Sequence, residues 1–339
     1  MRRWNEKGFR EILNAPVWRR AGWIAILLTT MTAPYALAGA EGEAIPQAAV
    51  RMTHAARAPL LHAAAAGARL VAVGDYGIVI LSDDGGESWR QAQTVPVRTT
   101  LTGVSFVDER RGWAVGHGGT VLRTTDGGDN WSLQYLAPVK DPLLSVWFES
   151  ANHGFAVGAF GFAMETQDGG VSWKDLRVAE GEDHDRHFNR VFPGPDGAIF
   201  IAAEAGTAFR SDDRGRTWNV LKLPYEGSLW GGLTLADGTV LLYGMGGHAF
   251  RTRDKGTTWE AIATGTDSSL TDGIQLPDGR IVLVGLGGAV AFGNPDGSPL
   301  TALVRPDRHY LASVAQASGS ALLVFGQGGA MAQSLELAK

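Results

Sequence analysis

The chain reads TTDGGDNW at residues 124–131, and its pattern [Ser/Thr]-x-Asp-x-Gly-x-x-Trp occurs five times in the sequence. The other copies are SDDGGESW at 82–89, TQDGGVSW at 166–173, SDDRGRTW at 211–218 and TRDKGTTW at 252–259. Successive copies begin 42, 42, 45 and 41 residues apart. Such even spacing indicates one supersecondary unit that is repeated along the chain.

The residue types of this motif, an Asp box, suit a hairpin turn. An aspartate carboxylate can accept backbone N–H groups of a turn, and a glycine adopts positive φ without a Cβ clash. A tryptophan can pack a large apolar surface between neighbouring units. A catalytic site does not require five copies of one motif, so we predict structural rather than catalytic roles for the aspartates and tryptophans of the boxes. These residues are Asp84, Asp126, Asp168, Asp213, Asp254, Trp89, Trp131, Trp173, Trp218 and Trp259.

A second repeat consists of two apolar runs joined by a glycine turn, and it occurs seven times. Its copies are VGDYG at 73–77, VGHGG at 115–119, VGAFG at 157–161, AEAG at 203–206, YGMGG at 243–247, VGLGG at 284–288 and FGQGG at 325–329. The last two units lack a good Asp box, and NPDG at 294–297 resembles a decayed one. Seven units of this length predict an all-β, seven-bladed β-propeller of four-stranded blades.

One unit shows the expected strands. Residues 101–106 form the inner strand A, 113–116 strand B, 120–124 strand C and 131–136 the outer strand D. The seventh unit ends near its strand C. We therefore expect residues 49–56, which precede the first unit, to supply the missing outer strand and close the ring, because closure removes exposed sheet edges. Residues 41–339 then form one propeller domain.

The first forty residues predict an export signal. Arg2, Arg3, Arg10 and the pair Arg19-Arg20 precede an apolar stretch at 21–33. Small residues follow, and cleavage is expected near Ala38 or Ala40. A retained membrane anchor is the alternative, although the apolar stretch is shorter than the roughly 20 residues of a membrane span. An exported, periplasmic or lumenal protein is the prediction.

Composition excludes several classes of site. The chain has no cysteine, which rules out disulfides, a cysteine nucleophile and thiolate metal sites. Its net charge of −5 gives no reason to expect nucleic-acid binding. We expect a monomer without a cofactor.

Asp-box repeats at even spacing behind an export signal resemble the photosystem II stability/assembly factor family. The resemblance covers the whole mature chain, and it implies a seven-bladed propeller of the lumen or periplasm that assists assembly of a membrane complex. The implied partner is a membrane protein or its exposed segment, and the implied role is not enzymatic. Relatives occur in bacteria without photosynthesis, so an accessory protein of a membrane transporter is a further possibility.

An enzymatic alternative exists because sialidases and other glycoside hydrolases also carry Asp boxes. A lectin on the same scaffold is a second alternative. A sialidase needs three converging arginines and a tyrosine–glutamate pair, and no such set can be assigned from the sequence. No pair of carboxylates is placed for acid/base catalysis either. A binding protein is the preferred interpretation.

The blade layout places the B–C glycine turns on the same face as the D–A connections, where function is expected because these loops vary. The assembly-factor family is similar in having an arginine-rich patch that engages its partner, matched here only by location. The basic residues assigned to the D–A connections are Arg57, Arg98, Lys140, Arg186, Arg190, Arg305 and Arg308, and the nearby aromatic anchors are Tyr76, Trp230 and Tyr310.

One irregular insertion, EGEDHDRH at 180–187, accounts for the longest step between Asp boxes. Its His184 and His187, flanked by carboxylates, are a candidate for a divalent metal site. A solvated polar loop is the simpler interpretation, because no third or fourth ligand can be assigned.

Overall fold

The computed structural model describes residues 47–138, 140–317 and 322–335. The segment predicted to be an export signal lies outside these residues. The strands, in chain order, are β1 (Leu60–Ala66), β2 (Arg69–Gly74), β3 (Val79–Ser82), β4 (Arg90–Gln91), β5 (Leu101–Phe106), β6 (Gly112–Gly116), β7 (Thr120–Thr124), β8 (Ser132–Leu136), β9 (Leu143–Phe148), β10 (Gly154–Gly158), β11 (Ala163–Thr166), β12 (Lys174–Asp175), β13 (Phe188–Pro193), β14 (Ile199–Ala203), β15 (Thr207–Ser211), β16 (Asn219–Lys222), β17 (Leu229–Thr234), β18 (Val240–Gly244), β19 (Ala249–Thr252), β20 (Glu260–Ile262), β21 (Leu270–Gln275), β22 (Ile281–Gly285), β23 (Ala289–Gly293), β24 (Thr301–Val304), β25 (Leu311–Gln316), β26 (Leu322–Gly326) and β27 (Gly329–Gln333).

These strands pair in sequence order into seven antiparallel sheets, which are the blades numbered 1 to 7 in chain order. Blades 1 to 6 have four strands, and blade 7 has three among the described residues. Single 3-10 turns lie at Ala55–Arg57, Asp75–Gly77, His117–Gly119, Ala159–Gly161, Gly181–Asp183, Pro195–Gly197, Met245–Gly247 and Leu286–Gly288. Within the described ranges, no helix is long and apolar enough to cross a bilayer. The predicted seven-bladed propeller is confirmed.

The core lies between blades, because each sheet buries apolar side chains on both faces. Strand B of every blade is almost wholly buried, as β6 and β10 show. Seven apolar clusters fill the seven junctions, and each combines residues of two neighbouring blades. The junction of blades 7 and 1 is packed like the others: Leu60 and Ile80 of blade 1 meet Phe325 of blade 7.

The predicted closing strand is wrong. Residues 49–56 do not pair with blade 7. Ala49 instead donates its N–H to Val95, which follows β4, and Val50 donates to Tyr76, in the turn between β2 and β3. The Arg51 side chain also donates to the backbone carbonyl of Ala92, at 2.7 Å. The turn Ala55–Arg57, which overlaps the end of this segment, contacts β27 without pairing with it as a strand. The ring is closed by side-chain packing between blades 7 and 1.

Polar side chains on the inner strands add hydrogen bonds between neighbouring blades around the central channel. At the third position of the inner strand, Ser145 accepts from the N–H of Val191 in the next blade, at 3.2 Å. Ser313 of blade 7 accepts in the same way from Ala63 of blade 1, also at 3.2 Å. This bond supports the closing junction, where blade 7 has three strands among the described residues.

Candidate functional site

The seven glycine turns and the D–A connections share one face, which we call the rim face. The rim turns are residues 75–77, 117–119, 159–161, 204–206, 245–247, 286–288 and 327–329. The third residue of every rim turn is a glycine with positive φ. A methyl group on Gly77 would collide with the carbonyl of Val97, and one on Gly206 with that of Tyr225. Each of these two turns therefore packs directly against the adjoining D–A connection.

The second position of the rim turns is also left-handed in six of the seven turns, but here the residue varies. It is glycine at 118, 246 and 287, whereas Tyr76, Phe160 and Ala205 adopt φ values of 58°, 54° and 52°. Left-handed backbone costs a residue with a Cβ roughly 1–2 kcal/mol. Such strain at a surface position is a sign of function when the side chain has no structural task.

Tyr76 and Phe160 are the two aromatic side chains among the exposed large apolar residues of the described chain, with 53% and 59% of their surface exposed. Neighbouring elements hold both turns in place. Asp75 accepts from the hydroxyl of Thr100 at 3.0 Å, and the carbonyl of Tyr76 accepts from Val50. These contacts fix the turn while the Tyr76 ring stays in solvent.

His187 supports the second aromatic turn. Its Nδ1 accepts from the backbone N–H of Phe160 at 2.9 Å, and the two rings meet edge to face at 4.7 Å. His184 instead points to the neighbouring Asp185, 2.9 Å away. Among the described residues no group of three or more metal-ligating side chains is found. The metal candidate thus gains no support from the geometry, and His187 has a contact that explains its position.

The basic residues predicted for the D–A connections divide into two groups. Arg57, Arg98, Lys140 and Arg308 are exposed. The other two on these connections are engaged: Arg186 with Asp183 at 2.6 Å, and Arg305 with Asp307 at 2.8 Å and with Gln333. The exposed four are therefore the ones available to a partner.

Arg190 is not on a D–A connection, which corrects the sequence-based placement. It is the third residue of β13 and lies in the central channel, because the insertion before blade 4 ends at His187 and the inner strand starts directly after it. Its guanidinium contacts His62 of blade 1 and lies 3.7 Å from Asp272 of blade 6. The side chain links blades across the channel.

The channel residues around Arg190 form a polar cluster that the sequence analysis missed. Asp272, 4% exposed, accepts from the hydroxyl of Ser313 and the N–H of Val314. Burial, and after it Arg190, lowers the pKa of His62 from 6.5 to about 3, so that ring is neutral at physiological pH. The buried Tyr243 hydroxyl has no hydrogen-bond partner among the described residues. The available signal was the third position of the inner strands, which carries His62, Arg190 and Asp272 in three of the blades.

The remaining aromatic candidates are less exposed than Tyr76. Trp230 is the second residue of β17 and is half-buried. Tyr310 immediately precedes β25, and burial raises its pKa. Two aliphatic side chains that sequence reasoning passed over, Met245 and Leu286, are exposed at the first position of their rim turns, by 45% and 39%.

The opposite face, which we call the box face, carries the five Asp boxes, and their hydrogen bonds repeat. In the second box, Asp126 accepts from the hydroxyl of Thr124 at 2.8 Å and from the N–H of Asn130 at 2.9 Å. The same pattern holds at Asp84, Asp168, Asp213 and Asp254. Hydrogen bonds from the Ser or Thr four residues on lower the pKa of these last four carboxyls from 3.8 to about 2.

The box tryptophans pack between neighbouring blades. Trp89 of blade 1 meets Phe325 of blade 7 at 5.8 Å, and Trp218 of blade 4 meets Phe155 of blade 3 at 6.4 Å. Trp131 and Trp173 are buried. Each box thus joins a tight turn to an interblade contact, which is a structural role.

The carboxyl groups give no support to hydrolytic chemistry. A glycosidase acid needs a raised pKa, whereas each Asp and Glu that shows a shifted pKa in the described residues is shifted downwards, Glu149 being an example. Glu149 and Glu165 approach opposite nitrogens of the His153 ring, each at 2.8 Å. The imidazole therefore occupies the space between them.

The sequence matches the family described as Photosynthesis system II assembly factor YCF48 over residues 85–139 and 135–334. A solved structure of YCF48 bound to D1 peptide is similar, with 20% identity, a TM-score of 0.67, and coverage of 81% of this chain and 92% of that one. YCF48 from Cyanidioschyzon merolae has 20% identity, a TM-score of 0.63, and coverage of 81% and 94%.

The WD40 propeller domain of Doa1 is similar at 16% identity, with a TM-score of 0.65 and coverage of 81% and 92%. At such identities the structural likeness shows the fold alone. No match was found among the curated proteins.

Proposed function

The chain belongs to the family of the photosynthesis system II assembly factor YCF48, and we propose that it is an exported assembly factor whose rim face binds a segment of a membrane protein. The proposed role is binding rather than catalysis. A YCF48 structure of the same fold is bound to a D1 peptide, and we extend peptide binding of this kind to the present chain.

One observation carries the proposal: the exposed cations and the strained, exposed aromatics lie on the same face. Arg57, Arg98, Lys140 and Arg308 are exposed on this face, as are Tyr76 and Phe160. Charge complementarity steers a partner and fixes its orientation, and aromatic side chains are frequent binding hot spots. The box face, by contrast, uses its repeated motif to hold hairpins and blade junctions together.

Charge reversal tests the proposal directly. We expect the variant Arg98→Glu/Lys140→Glu/Arg308→Glu to bind a labelled D1 peptide at least tenfold more weakly than the unaltered protein, as the loss of about 1.4 kcal/mol would produce. Fluorescence anisotropy measures the affinity, and thermal unfolding monitors the fold.

A matched control places the same change on the box face. Arg110, Arg216 and Arg253 are exposed there, and reversing all three gives an identical change in net charge. This control should keep its affinity. Equal weakening of both variants, or retention of affinity by the rim variant, would refute the proposed rim site.

Export is a separate part of the proposal and rests on the basic, apolar and small-residue segments at 1–40. Fractionation of the native host and N-terminal sequencing of the mature protein test it. The expected result is a periplasmic or lumenal protein that begins just after Ala38 or Ala40. Recovery in the cytoplasm with Met1 intact would contradict it.

A further inference from the structure

The rim turns of blades 1, 2 and 3 alternate between aromatic and glycine tips. Tyr76 and Phe160 occupy the second turn position in blades 1 and 3, while Gly118 occupies it in blade 2. No atom lies within 4 Å of where a side chain on Gly118 would begin. The surface above the turn of blade 2 is therefore open to solvent, and the turn of each neighbouring blade carries an exposed aromatic ring.

Two cations lie between these rings. Arg98 is on the connection from blade 1 to blade 2, and Lys140 is on the connection from blade 2 to blade 3. Both are exposed, and Arg98 contacts only the neutral side chain of Gln47 among the described residues. The carboxylates closest in sequence to the two cations and rings, Asp75 and Asp141, are half-buried, so the surface between the rings is basic. The exposed Glu182 and Asp185 belong to the connection from blade 3 to blade 4, beyond Phe160.

The backbone at the two aromatic tips is held in an unfavourable conformation although glycine serves the same turn elsewhere. Gly246 and Gly287 adopt the same left-handed conformation at the second position in blades 5 and 6, with φ of 63°. The fold therefore does not need a side chain there. Tyr76 and Phe160 keep one at a cost in stability, which is what a binding contact would explain.

The distance between the Tyr76 and Phe160 rings sets the length of a segment that could contact both. Packed sheets lie about 10 Å apart, so tips two blades apart are separated by on the order of 20 Å. An extended chain covers that distance in about six residues. One strand-like segment can thus contact both rings and pass over Gly118 between them.

We infer that Tyr76, Arg98, Gly118, Lys140 and Phe160 form a cradle for an extended segment in which two apolar side chains flank acidic residues. The inference rests on the proposed function and specifies the partner of the same face. Each ring packs on one apolar side chain of the bound segment, and the two cations pair with its acidic residues. The backbone of the segment passes over Gly118, where no side chain blocks it.

A variant that loses peptide binding but keeps its stability tests this inference. The variant Tyr76→Gly/Phe160→Gly restores the residue that the left-handed backbone prefers and removes the edge-to-face contact between Phe160 and His187. These effects oppose each other, so the variant should unfold within about 2 °C of the unaltered protein. The probe is a labelled synthetic peptide with two leucines about six residues apart and glutamates between them. Loss of each ring should weaken its binding about tenfold.

Two controls make the test specific. Met245→Ala/Leu286→Ala removes exposed apolar surface from the other side of the rim and should leave the affinity unchanged. A second peptide, with lysines in place of the glutamates, should bind at least tenfold more weakly than the first.

The outcomes also separate this inference from the proposed function. Unchanged peptide affinity in the double-glycine variant, or no difference between the two peptides, would overturn the cradle. If the charge-reversal variant nevertheless loses the D1 peptide, the rim face remains the binding site and only the cradle is wrong.

Discussion

The two faces of the propeller both carry glycine-containing hairpin turns, but they differ in what repeats. On the box face the side chains repeat: Asp84 and Asp213 accept the same hydrogen bonds from equivalent partners. On the rim face only the backbone repeats, since the third glycine is constant while the second position changes from Gly118 to Phe160. Repeated side chains indicate architecture, and divergent side chains on a repeated backbone indicate a site.

The largest effect is expected at the constant glycine of a rim turn. Gly206→Ala places a methyl group against the carbonyl of Tyr225, and the turn must separate from its connection, so we expect a loss of about 3 kcal/mol or more in unfolding free energy. Gly118→Ala, which has open space, should cost only about 1 kcal/mol. Denaturant unfolding of both variants measures the difference; equal losses would show that the connection does not constrain the turn.

A smaller loss is expected on the box face. Asp126→Ala removes an acceptor of three hydrogen bonds, from Thr124 and from the backbone and side chain of Asn130. We expect a loss of about 1–3 kcal/mol, whereas Glu226→Ala, an exposed acid of the rim face, should change stability by less than about 0.5 kcal/mol. Unfolding curves for the two variants compare the faces directly; similar losses would contradict the structural assignment of the boxes.

The box carboxyls also predict a dependence on pH. Their pKa falls from 3.8 to about 2 in the folded protein, so the folded state binds fewer protons than the unfolded state in this window. The resulting stability is present above pH 4 and is lost as the pH falls towards 2. Asp168→Asn/Asp213→Asn should show a shallower loss when unfolding temperature is followed against pH, and an unchanged slope would argue against this linkage.

The smallest effect is expected at an aromatic tip. Tyr76→Gly relieves left-handed strain of roughly 1–2 kcal/mol, partly offset by about 0.5–1 kcal/mol of extra chain entropy when unfolded. The net change should be a gain of up to about 1.5 kcal/mol, which thermal unfolding detects as a rise of about 3 °C or less in a protein of this size. A clear loss would mean that Tyr76 packs structurally.

The sequence was sufficient to predict the propeller, because Asp boxes and glycine turns are local motifs whose residue types dictate the turn. It was insufficient for the closing strand, since the course of residues 49–56 depends on tertiary contacts such as Ala49 with Val95. Arg190 was misplaced because the insertion at 180–187 obscured where the inner strand of blade 4 begins. The contact between His187 and Phe160 joins two loops and could not be predicted from spacing.

The central claim is that partners bind the rim face, and hydrogen–deuterium exchange with and without bound D1 peptide tests it most directly. The account predicts slower exchange in the rim turns and their connections, above all around residues 75–77, 98–100 and 159–161, with the five Asp boxes unchanged. Protection confined to residues 82–89, 124–131 and the other boxes would contradict it.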